Sequence, residues 1–205
     1  MKSEVYNIDC LEYMRGLPDK HFDLVIADPP YGINIGNGLG SGKKMCKMHH
    51  KWQYNAPGEE FFNELFRISK EQIIWGGNYF DLPPTRCFLV WRKTNVPLEG
   101  FTMSAAEYAW TSFDQNAMVF EFSAVGQVGR FHPTQKPPEL YRWIYKHFAH
   151  EGDKILDTHL GSGSSRIAAY DAGLDFVGYE IDETYFRLQE ERFERHTSQM
   201  NLFID

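Results

Sequence analysis

Apolar residues along the chain alternate between short unbroken runs and longer stretches with a helical period. The runs predict buried strands over 5–9, 22–27, 73–75, 88–91, 154–157 and 176–180. The spacing of Phe61, Phe62, Leu65, Phe66 and Ile68 predicts an amphipathic helix over 59–70. A second periodic helix is predicted from about 139 to 147, and others start at Cys10 and just after Gly163. Residues 107–110 and 119–122 read as a further strand pair. A closing helix over 183–197 alternates charge, as a solvated cover does. Strands interleaved with helices predict an α/β fold around a doubly wound sheet of about seven strands.

Two of these strands end in unusual chemistry. The run 22–27 stops at Asp28-Pro29-Pro30-Tyr31. The prolines fix two successive φ angles, and Pro30 offers no N–H. Asp28, preceding a proline, is held extended. The result is a stiff shelf with one carboxylate, free carbonyls and one aromatic ring. Such a shelf suits an aromatic amine, whose lone pair is delocalised and poorly nucleophilic. A carboxylate accepting one N–H and a rigid carbonyl accepting the other can aim that lone pair at an electrophile.

The strand 154–157 runs into Thr158-His159-Leu160-Gly161-Ser162-Gly163-Ser164 and then a helix, and the next strand ends at Glu180. This is a βαβ nucleotide-binding pattern, in which glycines admit close backbone approach and the downstream acid accepts ribose hydroxyls. Arg166 stands where a dinucleotide fingerprint has its third glycine, which argues against NAD. At the first strand, Asp9 reads as the N-cap of the helix from Cys10.

Composition narrows the classes. At 205 residues, 42% hydrophobic and 16% aromatic, the chain fits one folded domain. No apolar run approaches the roughly 18 residues of a membrane helix, and Met1-Lys2-Ser3-Glu4 lacks a signal-peptide core. Three scattered cysteines (Cys10, Cys46, Cys87) make no disulfide framework, so a cytoplasmic protein with no membrane partner is expected. The net charge of −7 argues against a nucleic-acid partner until its distribution is considered. Residues 32–58 contain no Asp or Glu and are glycine-rich at their start. Lys43, Lys44, Lys47 and Lys51 give this segment +4, leaving −11 on the rest. A mobile basic insertion at about 36–56 is therefore expected directly after the shelf. Cys46, His49 and His50 lack a second ligand pair at metal spacing, so no metal is assigned.

Asp28-Pro29-Pro30-Tyr31 resembles the catalytic motif of S-adenosylmethionine-dependent amino-group DNA methyltransferases. The Asp form is usual in their adenine branch and Ser in the cytosine branch. His132-Pro133-Thr134-Gln135-Lys136-Pro137-Pro138 resembles the family's segment near the methionine end of the cofactor. The Asp157-to-Gly163 loop resembles its methionine-contacting loop. The shelf precedes that loop, as in the permuted beta group. The resemblance implies a Rossmann-like methyltransferase fold in circularly permuted motif order, with S-adenosyl-L-methionine as cofactor and DNA as partner. It implies catalysis at Asp28, Pro29, Pro30 and Tyr31, the base being flipped out and stacked on Tyr31. Cofactor contacts are implied at Asp9, Cys10, Thr134, Lys136, Asp157, Leu160, Gly161, Gly163, Ser164 and Glu180, and DNA contacts at Lys43, Lys44, Lys47 and Lys51. The implied reaction is N6-adenine methylation. The alternatives are N4-cytosine, a protein glutamine amide, and a silent DNA-binding orphan. The chain leaves no room for a large target-recognition domain, so selectivity is expected to be short, relaxed, or supplied by a homodimer or specificity partner.

Overall fold

A computed structural model of the chain describes residues 1–32, 56–97, 99, 104–123 and 129–201. In order, the elements are β1 (Ser3–Tyr6), α1 (Cys10–Met14), β2 (Phe22–Ala27), α2 (Glu59–Ile68), β3 (Ser69–Trp75), a 3-10 turn (Gly77–Tyr79), β4 (Phe88–Lys93), β5 (Ala106–Thr111) and β6 (Met118–Phe122). They continue with α3 (Pro138–Phe148), β7 (Lys154–Asp157), α4 (Ser164–Asp171), β8 (Asp175–Tyr179) and α5 (Glu183–Asn201). The strands form one sheet in the order β1-β8-β7-β2-β3-β5-β4-β6. The first five neighbours are parallel, β5 runs antiparallel to β3 and β4, and β6 is parallel to β4.

Strand alternation sends side chains to both faces, and helices cover each. In β2, Leu24 and Ile26 join Tyr141, Ile144, Ala168 and Ala169 of α3 and α4. Val25 and Ala27 join Met14 of α1 and Phe61, Phe62 and Leu65 of α2 on the opposite face. This is why the central strands read as unbroken apolar runs rather than alternating ones. α2 passes into β3 with no intervening loop, and Ser69 Oγ closes the helix end by donating to the Leu65 carbonyl at 2.6 Å.

Three expectations change. Eight strands form the sheet, not seven. β5 and β6 exist, but β4 lies between them; the phase of their apolar residues gave no register, and tertiary pairing decided it. α5 is more than a solvated cover. Its Tyr185 and Gln189 are fully buried, because the turn at Gly163 brings α4 directly against it. No helix among the described residues is long and apolar enough to cross a membrane.

Candidate active site

The parallel strands β1, β8, β7, β2 and β3 all end at one edge of the sheet, and their registers align those ends. Ile26 pairs with Asp157, Asp157 with Gly178, and Tyr6 with Tyr179. Asp28, the loop after Asp157, Glu180 and the Asp9 turn are therefore neighbours. β2 leads into α2 on one face, while β7 leads into α4 on the other. The crevice of an open α/β sheet forms at such a switch point. The backbone ties the loops down here, with Thr158 N–H donating to Ile26 and Leu160 N–H donating to Tyr179 at 2.8 Å.

On the β2 side, Pro29 is buried and Asp28 is partly exposed. The Tyr31 hydroxyl donates to Asp28 Oδ1 at 2.7 Å, and Lys136 Nζ is bonded to Asp28 Oδ2. The Tyr31 ring stacks on Tyr79 with centroids 5.1 Å apart and planes 16° apart, and meets Phe80 edge-on. Gly76, at φ +68°, lies so close to that ring that a Cβ would overlap it. Burial pushes the Tyr31 hydroxyl well above its ordinary value, so it stays a donor. Lys136 is 2% exposed and also 3.2 Å from Glu107 Oε2, while Glu107 Oε1 is 2.6 Å from Lys93 Nζ. Burial alone would lower Lys136, but Asp28 and Glu107 outweigh it and hold the ammonium above its usual range. Glu107 is the mirror case: burial raises it, and Lys136 and Lys93 pull it below the carboxylate range. The sequence pointed to Lys136 as a partner for a cofactor carboxylate; its partners here are the shelf and β5.

On the β7 side the acids meet neutral donors. Glu180 accepts from Gly161 N–H and Asp182 N–H, both at 2.8 Å. Burial raises its carboxyl to about 7 against those hydrogen bonds. Asp157 accepts from His159 N–H at 3.0 Å and from the Ser165 hydroxyl, and burial raises it to about 6. Gly161 turns at φ +51°, with the His132 ring 3.4 Å from where a Cβ would stand, which brings the 132–136 segment onto the glycine loop. Thr134 Oγ1 lies 3.3 Å from His132 Nδ1. Burial lowers the His132 and His159 rings to about 4, so both are neutral near pH 7.

Several expected cofactor residues also make structural contacts. A Cβ on Gly163 (φ +72°) would meet Gln189 at 3.1 Å, so this glycine serves the turn and the α4–α5 contact. Ser164 Oγ accepts from Arg192 of α5 at 2.8 Å. Leu160 packs its methyls against Gly178 in the core. Asp9 caps α1, accepting from Leu11 N–H at 2.8 Å. Cys10 beside it is pushed up to about 12 by burial and the Asp9 charge, and is unreactive as a thiolate. Arg166, in place of a third glycine, reaches Ser3, Gln189 and Glu190 and stacks on Phe193. Lys43, Lys44, Lys47 and Lys51, together with Cys46, His49 and His50, lie outside the described residues.

The model of the N6_N4 methyltransferase family, described as DNA methylase, matches residues 90–191. That segment, about half of the chain, is thus similar to the N6/N4 DNA methylase family. The matched segment contains Lys93, Glu107, Lys136, the glycine loop and Glu180, and the shelf lies upstream of it. The type II methyltransferase M2.DpnII of Streptococcus pneumoniae is 24% identical over 234 residues, covering 91% of this chain and 87% of its own. Among solved structures, the M1.HpyAVI–SAM complex is 19% identical with a TM-score of 0.59, over 92% of this chain and 98% of its own. PvuII DNA methyltransferase, cytosine-N4-specific, is 14% identical with a TM-score of 0.62, over 98% and 92%. At such identities the structural likenesses establish a shared Rossmann-like fold.

At this site, sequence reasoning missed Glu107, Lys93, Gly76 and Tyr79. Their available signal was local: two charged residues inside apolar strands, and a Gly-Gly breaker followed by an aromatic.

Proposed function

We propose that this chain transfers the methyl group of S-adenosyl-L-methionine to the exocyclic N6 amine of a flipped adenine in DNA. The observation that carries the reading is the meeting, at one sheet edge, of the Asp28 shelf with a glycine loop closed by Glu180. The residues present fit the cofactor. Each Glu180 oxygen spends one lone pair on a backbone N–H and keeps another for a ribose hydroxyl, while Asp9 and Asp157 flank it. The M1.HpyAVI structure, solved with SAM, supports that choice. When bound, S-adenosylmethionine supplies an electrophilic sulfonium methyl group.

The chain's own residues do the rest by positioning. Asp28 accepts one N–H of the amine and the Pro29 carbonyl the other, which draws the nitrogen towards tetrahedral geometry. Lys136 and the Tyr31 hydroxyl hold the carboxylate still. The proton leaves to water after transfer. Tyr31 offers a ring for the base, and because Tyr79 stacks on that ring here, Tyr79 must yield or share it. The shelf-first order is that of the permuted beta group, and the Asp at its head favours adenine. The likeness to the cytosine-N4-specific PvuII enzyme supports N4-cytosine as the second reading.

We assign phosphate contact to Lys43, Lys44, Lys47 and Lys51 on charge alone. Replacing all four with Ala should flatten the log K versus log salt slope of DNA binding by about two to four units. An unchanged slope would remove them from the interface. Long-read sequencing of DNA from cells expressing the chain tests the base directly. N6-methyladenine at a recurrent motif is expected, N4-methylcytosine would move the assignment to the second reading, and unmodified DNA would overturn both.

A further inference from the structure

We propose that Glu107, backed by Lys93, is a positioning residue that shares Lys136 with Asp28 and so sets how the shelf carboxylate meets the substrate amine. The proposal rests on the methylase reading above. It starts from a chain of alternating charges, Asp28–Lys136–Glu107–Lys93, drawn from the loop after β2, the loop before α3, β5 and β4. The register explains why they meet. Glu107 stands opposite Trp91 across the β4–β5 pair, and Lys93 lies two residues beyond Trp91 on the same face. Both basic ends are held over indoles: Lys93 is 5.1 Å from the Trp91 ring, and Lys136 is 5.1 Å from the Trp75 ring.

Two acids and two bases make the chain neutral, which is how buried charges are tolerated. Its order matters as much as its sum. Lys136 has two carboxylates, so neither takes its whole charge, and Asp28 keeps acceptor capacity for an amine hydrogen. Without the Glu107 charge, Lys136 turns wholly onto Asp28 and competes with that amine. Lys136 would also release its proton more readily. Facing it are Asp28 from the loop after β2 with Tyr31 beyond, Glu107 from β5, and the neutral Trp75 from β3. Asp157 from β7, Tyr141 from α3 and His132 from its own loop surround that group. Glu107 is the one of these that pairs with Lys136 without any part in holding the base or the cofactor.

Glu107→Gln and Glu107→Asp test this with the full chain, DNA and labelled S-adenosylmethionine. Glu107→Gln should lower kcat roughly tenfold or more, the scale on which supporting partners act. Cofactor Kd should stay within about threefold, and the alkaline limb of the kcat–pH profile should move to lower pH. Glu107→Asp, which keeps the charge, should restore most of kcat and the limb. An NMR titration of labelled lysine side chains, read without DNA or turnover, should show Lys136 losing its proton at lower pH in Glu107→Gln. Wild-type kcat and an unmoved limb in the folded Gln variant would overturn the proposal. So would a fall in kcat that tracks lost thermal stability with the limb unmoved. If Glu107→Gln does not fold, Glu107→Asp alone decides: kcat and limb near wild type support the role, and a loss equal to that of a cavity mutant opposes it. A wild-type chain that leaves DNA unlabelled would instead refute the methylase reading, while the lysine titration still tests the charge chain.

Discussion

Asp28 and Glu180 stand at the ends of strands in the same sheet, yet they are held by opposite means. Asp28 meets a buried ammonium, Lys136, and through it the Glu107–Lys93 pair. Glu180 meets backbone N–H groups, with no cation bonded to it among the described residues, and burial raises it to about 7. The difference separates two tasks. The shelf side keeps a carboxylate fixed by charge, as the proposed hold on a neutral amine requires. The glycine-loop side keeps a carboxyl whose proton leaves near neutral pH, so its acceptor strength follows the medium.

The largest test of the contrast removes the shelf acid. Asp28→Ala should lower kcat by about a thousandfold, the scale of a preorganised polar contact at the reacting group. Cofactor affinity should change by less than about threefold. A variant that keeps a tenth of wild-type kcat would take Asp28 out of the mechanism.

Glu180→Ala should act on the other half. Two hydroxyl contacts to a carboxylate are worth roughly 1.5–3 kcal/mol each, so the S-adenosylmethionine Kd should rise by at least about a hundredfold in calorimetry without DNA. Unchanged affinity would overturn the cofactor role given to the βαβ unit. The pH dependence sharpens the point. An acid raised on folding favours the folded state at low pH, and that contribution is lost as pH rises from 4.5 to about 7. Glu180 should thus contribute about 3 kcal/mol that disappears across this window. Wild-type Tm should fall over it, and the Glu180→Gln slope should be shallower. Equal slopes would show that Glu180 is not raised.

Gly76→Ala probes the shelf's support. Its φ of +68° and the Tyr31 ring against it leave no room for a methyl. A loss of roughly 1–3 kcal/mol in stability is expected, with kcat falling and cofactor affinity kept. Wild-type kcat would mean that Tyr31 can shift freely. Tyr31→Phe should be the mildest change, costing about 1.5 kcal/mol, the low end for one hydrogen bond to a charged group, here Asp28. A loss as large as that of Asp28→Ala would give the hydroxyl a chemical role.

The two sides were also unequally legible in the sequence. Asp28-Pro29-Pro30-Tyr31 and Gly161-Ser162-Gly163 are local spellings whose backbone consequences follow from proline and glycine alone, and both stand at strand ends as expected. Glu180 was found by its distance along a βαβ unit. Glu107 and Lys93 were not legible, because their meeting with Lys136 depends on the β4–β5 register and on β5 inserting between β3 and β4. Those are pairings between distant segments that no local period specifies. Gly163 and Ser164 show the converse. Their spelling suggested a cofactor contact but not the packing of α5, which sets Gln189 against Gly163 and Arg192 on Ser164.

The central claim is tested most directly by incubating the purified chain with methyl-labelled S-adenosylmethionine and unmethylated duplex DNA, then digesting the DNA to nucleosides. Label confined to N6-methyl-2′-deoxyadenosine, and absent with Asp28→Ala, is the predicted result. Label in N4-methyl-2′-deoxycytidine, or none in DNA while the cofactor binds, would contradict it.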